Sequence, residues 1–178
     1  MKKIVGNKIY LREMTTDDTE QILKWRNSEF VRERFLFREP LTRKMHETWI
    51  ETKVIPGFVV QFIIGINEGG KEIGSVYFRD IDREKKTAEF GIFIGEEQNG
   101  RKGYGSEALM LALRYAANRL QMKKIFLRVL ADNEKAIRIY EKNGFYVIKE
   151  EEICLPDGKT GNVLFMEKCM NENGGSDE

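Results

Sequence analysis

The feature that most constrains this chain is one stretch, residues 87–145, in which two strand patterns alternate with two helix patterns. Residues 88–94 are rich in β-branched and aromatic side chains and too few for a typical globular helix, so they predict a strand. A glycine-rich turn at 100–105 follows and leads into a predicted helix over 106–120 with one buried face. The apolar positions of that helix are 108, 109, 111, 112, 115, 116 and 120.

A second buried strand and a shorter helix complete the stretch. Residues 124–130 form an apolar strand pattern, and the helix after it begins with Asp132 or Asn133, both of which are favoured N-caps. Gly144 stands just beyond the end of this helix, where glycine readily adopts the positive φ that terminates helices. The order of elements is therefore strand, glycine turn, helix, strand, helix.

The glycine-rich turn is typical of an anion site. Missing side chains let a phosphate approach the backbone, and free N–H groups at the helix N-terminus point toward it. Arg101 and Lys102 add two positive charges there. The expected ligand is a phosphate or a pyrophosphate.

Two other nucleotide-binding designs share this logic. The P-loop requires GxxxxGK followed by Ser or Thr, which the chain lacks. The dinucleotide fingerprint is a closer rival, because residues 103–108 match GxGxxA and Asp132 lies past the next strand. In that design the first glycine follows the strand almost at once, whereas residues 95–102 intervene here and several predicted strands come earlier.

A third design fits better. The turn Gly100-Arg101-Lys102-Gly103-Tyr104-Gly105, taken with Asn133-xx-Ala136-Ile137-xx-Tyr140-xxx-Gly144-Phe145, resembles the GNAT N-acetyltransferase superfamily. The resemblance covers nearly the whole chain in the order of its elements, although Gly100 stands where the family's loop usually has Gln or Arg. It implies an α/β (α+β) fold, a single domain over residues 1–170 with a mixed, mostly antiparallel sheet of about seven strands and about four flanking helices. Residues 171–178 have the composition of a disordered tail.

Composition agrees with one domain and excludes several classes. The 178 residues carry 30 basic and 29 acidic side chains, a net charge of +1, so no global field would attract nucleic acid or an anionic membrane. No apolar run approaches a membrane span, and a cytoplasmic location is expected by default. Two cysteines and one histidine are too few for a disulfide framework or a metal site.

The resemblance implies acetyl-CoA as cosubstrate, with its pantetheine arm between the two strands at 88–94 and 124–130. Backbone N–H groups near Phe93 or Ile94 would polarise the thioester carbonyl, and those of residues 101–105 would hold the pyrophosphate. The residues implied to bind the cofactor are Ile92, Phe93, Ile94, Arg101, Lys102, Gly103, Tyr104, Gly105, Ser106, Asn133 and Ala136.

The resemblance also implies catalytic side chains. Tyr140 matches the position that protonates the CoA thiolate; otherwise it is a core tyrosine on the apolar stripe of its helix. Glu89 is the candidate base, because it shares a strand face with Gly91 and Phe93 at a water-relay distance from the acyl site. Its alternative is a salt-bridged glutamate at the surface.

The chain resembles the branch that contains ribosomal-protein N-terminal acetyltransferases, spermidine acetyltransferases and amino-sugar nucleotide acetyltransferases. Trp25-Arg26-Asn27 resembles a motif of the amino-sugar members, and Arg26, Arg32, Arg34 and Arg38 suit an anionic acceptor better than a polyamine. The residues predicted to bind the substrate are Trp25, Arg26, Asn27, Arg32 and Arg34. Trp25 is otherwise a core residue. The expected partner is an amine acceptor, either a small molecule such as an amino-sugar nucleotide or a protein N-terminus, and a homodimer is left open. The alternative is a non-catalytic acyl-CoA or nucleotide-binding module.

Overall fold

The computed structural model describes residues 3–100, 102–155, 158 and 160–170. The strands are β1 (Lys3–Val5), β2 (Ile9–Glu13), β3 (Val60–Ile66), β4 (Glu72–Asp82), β5 (Thr87–Ile94), β6 (Lys124–Leu130), β7 (Tyr146–Cys154) and β8 (Thr160–Cys169). The α-helices are α1 (Thr19–Arg26), α2 (Glu29–Arg32), α3 (Arg43–Trp49), α4 (Tyr104–Asn118) and α5 (Glu134–Lys142). Short 3₁₀ turns cover Thr16–Asp18 and Glu97–Asn99, and a π-helical turn covers Ile50–Val54.

The described strands form one eight-stranded sheet in the order β1-β2-β3-β4-β5-β6-β8-β7. Strands β5 and β6 are parallel, and the other neighbouring pairs are antiparallel. The predicted mixed, mostly antiparallel α+β fold is therefore confirmed. Strand β1 and helix α2 exceed the expected numbers, because an element of three or four residues is too short to show a period in the sequence.

Side chains alternate along the strands, so the core is divided between the two faces of the sheet. On one face, Phe90 of β5 packs in the larger cluster with Leu109 of α4 and Tyr140 of α5. On the other face, Phe93 packs in a smaller cluster with Trp25 of α1. The predicted arrangement, with helices on both faces of a central sheet, is confirmed.

Some predictions concern residues outside the described ranges, namely Arg101 and the tail at 171–178. Within those ranges, no helix has the length and apolar content needed to cross a membrane. The same residues contain no group of three or more His, Cys, Asp or Glu side chains that could hold a metal ion. Cys154 and Cys169 are exposed free thiols.

Candidate active site

The cleft originates where β5 and β6 separate. Their parallel pairing is limited to three positions, which end at Glu89 opposite Phe126. Beyond that point β5 stays paired with β4 as far as Ile94, while β6 stays paired with β8 as far as Leu130. The two strands therefore open into a V-shaped gap, between the same strands where the family resemblance places the pantetheine arm.

The backbone of β5 presents alternate residues to this gap. The N–H of Gly95 bonds to the carbonyl of Ile73 in β4 at 2.8 Å, and the register pairs Phe93 with Ser75. Because antiparallel pairing alternates, odd-numbered residues direct their N–H and C=O groups to β4, and the even-numbered Ile94 directs its groups to the gap. Of the two predicted thioester-polarising N–H groups, that of Ile94 is therefore the one with suitable direction.

The phosphate-binding candidate is the turn before α4. Gly103 is the N-cap and has φ +83°, a left-handed conformation that L side chains rarely adopt. A Cβ built on Gly105 would meet no atom within 4 Å, so this position is open. The first N–H groups of a helix have no intrahelical partner, and they are available here to a bound anion. The turn therefore has space and backbone donors for a pyrophosphate, whose binding here stays a prediction.

Two lysines from distant elements flank this turn, and the sequence reasoning missed both. The Nζ of Lys8 donates to the carbonyl of Lys102 at 3.3 Å. A Cβ built on Gly103 would lie 3.8 Å from the same Nζ. The Nζ of Lys135, on the first turn of α5, would lie 3.8 Å from a Cβ on Gly100. No local pattern joins Lys8 or Lys135 to the glycines, because only the fold brings them together.

Helix α5 supplies the predicted acid. The Asn133 side chain caps it by accepting from the Ala136 N–H at 3.3 Å, and Gly144 ends it with φ +82°. Tyr140 is 9% exposed, with its ring between those of Phe90 and Phe145 at centroid distances of 6.4 and 5.9 Å. Burial raises the pKa of Tyr140. The phenol is therefore a neutral O–H donor at physiological pH.

Glu89 lies on the face of β5 that is opposite Tyr140's core and is held by two arginines. Its Oε1 accepts from Arg79 Nη2 at 2.7 Å and from Arg128 Nε at 3.0 Å. Its Oε2 lies 3.4 Å from Arg128 Nη2, the longest of these contacts. Oε2 is therefore the oxygen that is freer to accept a proton. The sequence reasoning missed both arginines.

The Trp25-Arg26-Asn27 motif divides into three different environments. Trp25 is 2% exposed, and its ring fills the space beside Gly95, where a Cβ would come within 2.0 Å of it. Asn27 joins two chain segments, donating to the Leu41 carbonyl at 2.8 Å and accepting from the Leu41 N–H at 2.7 Å. Neither side chain lines the cleft, so their prediction as substrate-binding residues is corrected in favour of packing and loop positioning.

Arg26 and Arg34 do line the cleft, whereas Arg32 does not. Arg32 instead donates to the carbonyl of Arg38 at 2.8 Å, which fixes the turn after α2. Arg34 stacks on Phe30 at 4.2 Å. The hydrogen bond to Arg38 gives Arg32 a structural role outside the cleft and disfavours the prediction that it binds the acceptor.

The cleft has a volume of about 1050 Å³. It brings together the catalytic candidates and most of the predicted cofactor residues. The predicted residues that line it are Glu89, Ile92, Phe93, Ile94, Gly103, Tyr104, Gly105, Ser106, Asn133, Ala136 and Tyr140. Lys102 is exposed beside the turn and does not line it, because its side chain points to solvent while its carbonyl bonds to Lys8.

The acetyltransferase (GNAT) domain family matches residues 8–146, which is most of the chain. The chain belongs to the GNAT acetyltransferase family. The sequence-based prediction of an acetyl-CoA-dependent N-acyltransferase is thereby confirmed. The dinucleotide-binding alternative is excluded, because that fold is built on a mostly parallel sheet. The strands described in this GNAT enzyme include one parallel pair.

Relatives of this GNAT enzyme include spermidine N(1)-acetyltransferase of Escherichia coli, 31% identical over 147 residues that cover 80% of this chain and 75% of that protein. An uncharacterized protein of Methanocaldococcus jannaschii is 29% identical over 81% of this chain, which spans only 29% of that longer relative. A crystal structure of Vibrio cholerae spermidine N-acetyltransferase with CoA and spermine superposes with TM-score 0.83 at 24% identity, covering 92% of this chain and 96% of that one. These relatives do not support the ribosomal-protein or amino-sugar branch.

Proposed function

We propose that this enzyme transfers the acetyl group of acetyl-CoA directly to the primary amine of a small molecule, with both substrates bound at once. The observation that carries the proposal is the opening between β5 and β6, which Tyr140 borders together with the phosphate-binding turn. A cleft of about 1050 Å³ has room for an extended cofactor arm and an acceptor together. Direct attack then requires no covalent acetyl-enzyme.

Each catalytic candidate has one task in this proposal. The amine nitrogen attacks the thioester carbonyl carbon, and the N–H of Ile94 stabilises the oxygen that becomes negative. As the carbon–sulfur bond breaks, the Tyr140 hydroxyl donates its proton to the departing thiolate. A phenol of pKa about 10 is a weaker acid than a thiol of about 8.5, so the proton that Tyr140 gives to the thiolate is replaced by the one that the attacking nitrogen loses as the amide forms.

The amine must lose a proton during the reaction, because a primary amine of pKa about 10 is almost wholly protonated at pH 7. We assign this proton to Glu89 acting through a water molecule. Its Oε2 is the less occupied oxygen, and the carboxylate lines the same cleft as Tyr140. Arg79 and Arg128 keep the carboxylate in place, which makes them positioning residues for this step.

Two acceptors follow from different observations. The E. coli and V. cholerae relatives carry names that specify spermidine, which favours a polyamine. The arginines Arg26 and Arg34 in the cleft favour an amine on an anionic molecule such as an amino-sugar nucleotide. A protein N-terminus is the third acceptor to test, and a cytoplasmic location stays a prediction.

An acceptor panel separates these assignments. The enzyme is incubated with acetyl-CoA and, in separate reactions, spermidine, an amino-sugar nucleotide and a peptide with N-terminal alanine, and products are detected by mass. We expect acetylation of a small-molecule amine and no acetyl group on the enzyme. Transfer to the peptide alone would reject the small-molecule assignment. Acetyl-CoA binding without transfer to any amine would favour a non-catalytic module.

A further inference from the structure

Arg26 is a charged side chain whose partner is absent from the described part of the chain. Its guanidinium is mostly buried, and its Nη1 has no exposed surface and no hydrogen-bond partner. The contact it does make is with the Phe35 ring, 3.7 Å from the guanidinium carbon to the ring centroid. Taking an ionised group out of water without an opposite charge is costly. The folded chain accepts this cost at a residue that lines the cleft, which points to a ligand as the missing partner.

Two further arginines lie on the same side of the sheet. Tyr77 and Arg79 of β4 and Arg128 of β6 alternate onto the face that carries Glu89, and all of them line the cleft. The Tyr77 ring lies against Gly91, where a Cβ would approach it within 2.3 Å.

Tyr77 lines the same cleft and lies within the electric field of this group. Burial raises the pKa of Tyr77, while the positive charges of Arg79, Arg26 and Arg128 oppose that rise. Arg26, Arg79 and Arg128 line the cleft together with Tyr77. The described carboxylates beside them are Glu89 and the exposed Asp80, whose Oδ2 lies 3.6 Å from Arg79 Nε. Three positive charges against two negative charges leave an excess of positive charge at this place.

The rest of the described cleft lining does not offset that excess. Glu89 is its one carboxylate, against the basic side chains Arg26, Arg34, Arg79, Arg128, Lys135 and Lys142. A polyamine would place like charges beside these groups, which is unfavourable. An anion would instead satisfy free donors with charge-assisted hydrogen bonds, for which a planar guanidinium is suited.

On the basis of the proposed transferase function, we propose that Arg26, together with Arg79 and Arg128 on the Tyr77 side of the cleft, binds a phosphate or carboxylate group of the acceptor molecule. The acceptor class is then an amine that carries an anion, and Arg26 determines specificity for it. The same chemistry is present in the phosphates of CoA, so the test must separate the two sources of anion.

Inorganic pyrophosphate is the probe, titrated by calorimetry into the enzyme before and after saturation with CoA. CoA occupies the cofactor's own phosphate site, so binding that persists in the CoA complex reports the acceptor subsite. We expect it to persist, and we expect Arg26→Gln to weaken it about 10- to 100-fold, as for loss of a charge-assisted hydrogen bond. Arg26→Lys keeps the charge but not the planar guanidinium, so its affinity for pyrophosphate should lie between those of the unaltered enzyme and Arg26→Gln. The affinity for CoA should stay within about twofold in both variants.

Arg138→Gln is the matched control, because Arg138 is exposed on α5, pairs with Glu134 and lies outside the cleft. It should bind pyrophosphate as the unaltered enzyme does. The inference is overturned if pyrophosphate does not bind the CoA complex, if CoA abolishes its binding, or if Arg26→Gln leaves it unchanged. Should Arg26→Gln fail to fold, unchanged affinity in Arg26→Lys would overturn it equally. These readouts use binding alone, so they are independent of whether any amine in the acceptor panel is acetylated.

Discussion

Replacing Tyr140 with Phe should lower kcat about 100-fold while leaving the affinity for acetyl-CoA nearly unchanged. The substitution removes the hydroxyl that donates to the departing thiolate, and a positioned general acid contributes about 10²- to 10⁴-fold. The ring itself, packed between Phe90 and Phe145, is retained, so the fold and the cofactor site should persist. The measurement is steady-state turnover together with calorimetric titration of acetyl-CoA.

The pH dependence of kcat in the unaltered enzyme also tests the role of Tyr140. Because burial raises the pKa of Tyr140, its phenol stays protonated past the ordinary value of about 10. Ionisation of Tyr140 should therefore cause no fall in kcat between pH 8 and 10 in the unaltered enzyme. Tyr146→Phe is the control, because Tyr146 is exposed and its hydroxyl bonds to Glu167 away from the cleft. Equal turnover in Tyr140→Phe and Tyr146→Phe would remove Tyr140 from the mechanism.

Replacing Trp25 with Ala should destabilise the protein by about 3 to 5 kcal/mol, the usual cost of truncating a large buried aromatic ring. Trp25 is 2% exposed and lies edge-on to Phe93 at a centroid distance of 6.2 Å. Phe93 is a β5 residue next to Ile94, so the cavity would also loosen the strand that presents the thioester-polarising N–H. The free energy of unfolding, measured by denaturant titration, is the direct readout.

A comparison variant distinguishes packing from substrate contact at this position. Trp25→Phe keeps an aromatic ring beside Gly95 and should lose clearly less stability than Trp25→Ala, with the acceptor KM little changed. A raised acceptor KM at unchanged stability, in either variant, would contradict the packing role of Trp25 and support its prediction as a substrate-binding residue.

Local signals account for the parts of the site that could be predicted. Asn133 and Gly144 mark the two ends of α5 through capping rules that depend on neighbouring residues alone. The role predicted for Tyr140 comes from the family resemblance, which these two residues help to carry. The turn before α4 is similarly readable, because Gly103 occupies a conformation that other residues rarely adopt. The backbone turns of the cofactor half are therefore encoded in short stretches of sequence, whereas Lys8 and Lys135 reach the glycine turn only through the fold.

The acceptor half depends on contacts between distant residues. Glu89 meets Arg79 and Arg128 only through the register of β4, β5 and β6, which no single strand pattern specifies. Whether Trp25 faces a ligand or the core depends on Gly95, far along the chain, which leaves room for its ring. The sequence motif there was assigned to the substrate as a unit, whereas the fold directs Arg26 alone of its three residues to the cleft.

We propose that the opening between β5 and β6 binds acetyl-CoA with its pyrophosphate at the glycine turn. Thermal unfolding with and without acetyl-CoA tests it most directly, with NADH as the comparison ligand and Lys135→Ala as the variant beside Gly100. A ligand at 100 times its dissociation constant adds about 2.7 kcal/mol, which moves the midpoint by about 5 to 11 °C for a domain of this size. We predict that shift with acetyl-CoA, none with NADH, and a smaller one in Lys135→Ala at the same ligand concentration. A shift with NADH only, or with neither ligand, would contradict the assignment of this opening to acetyl-CoA.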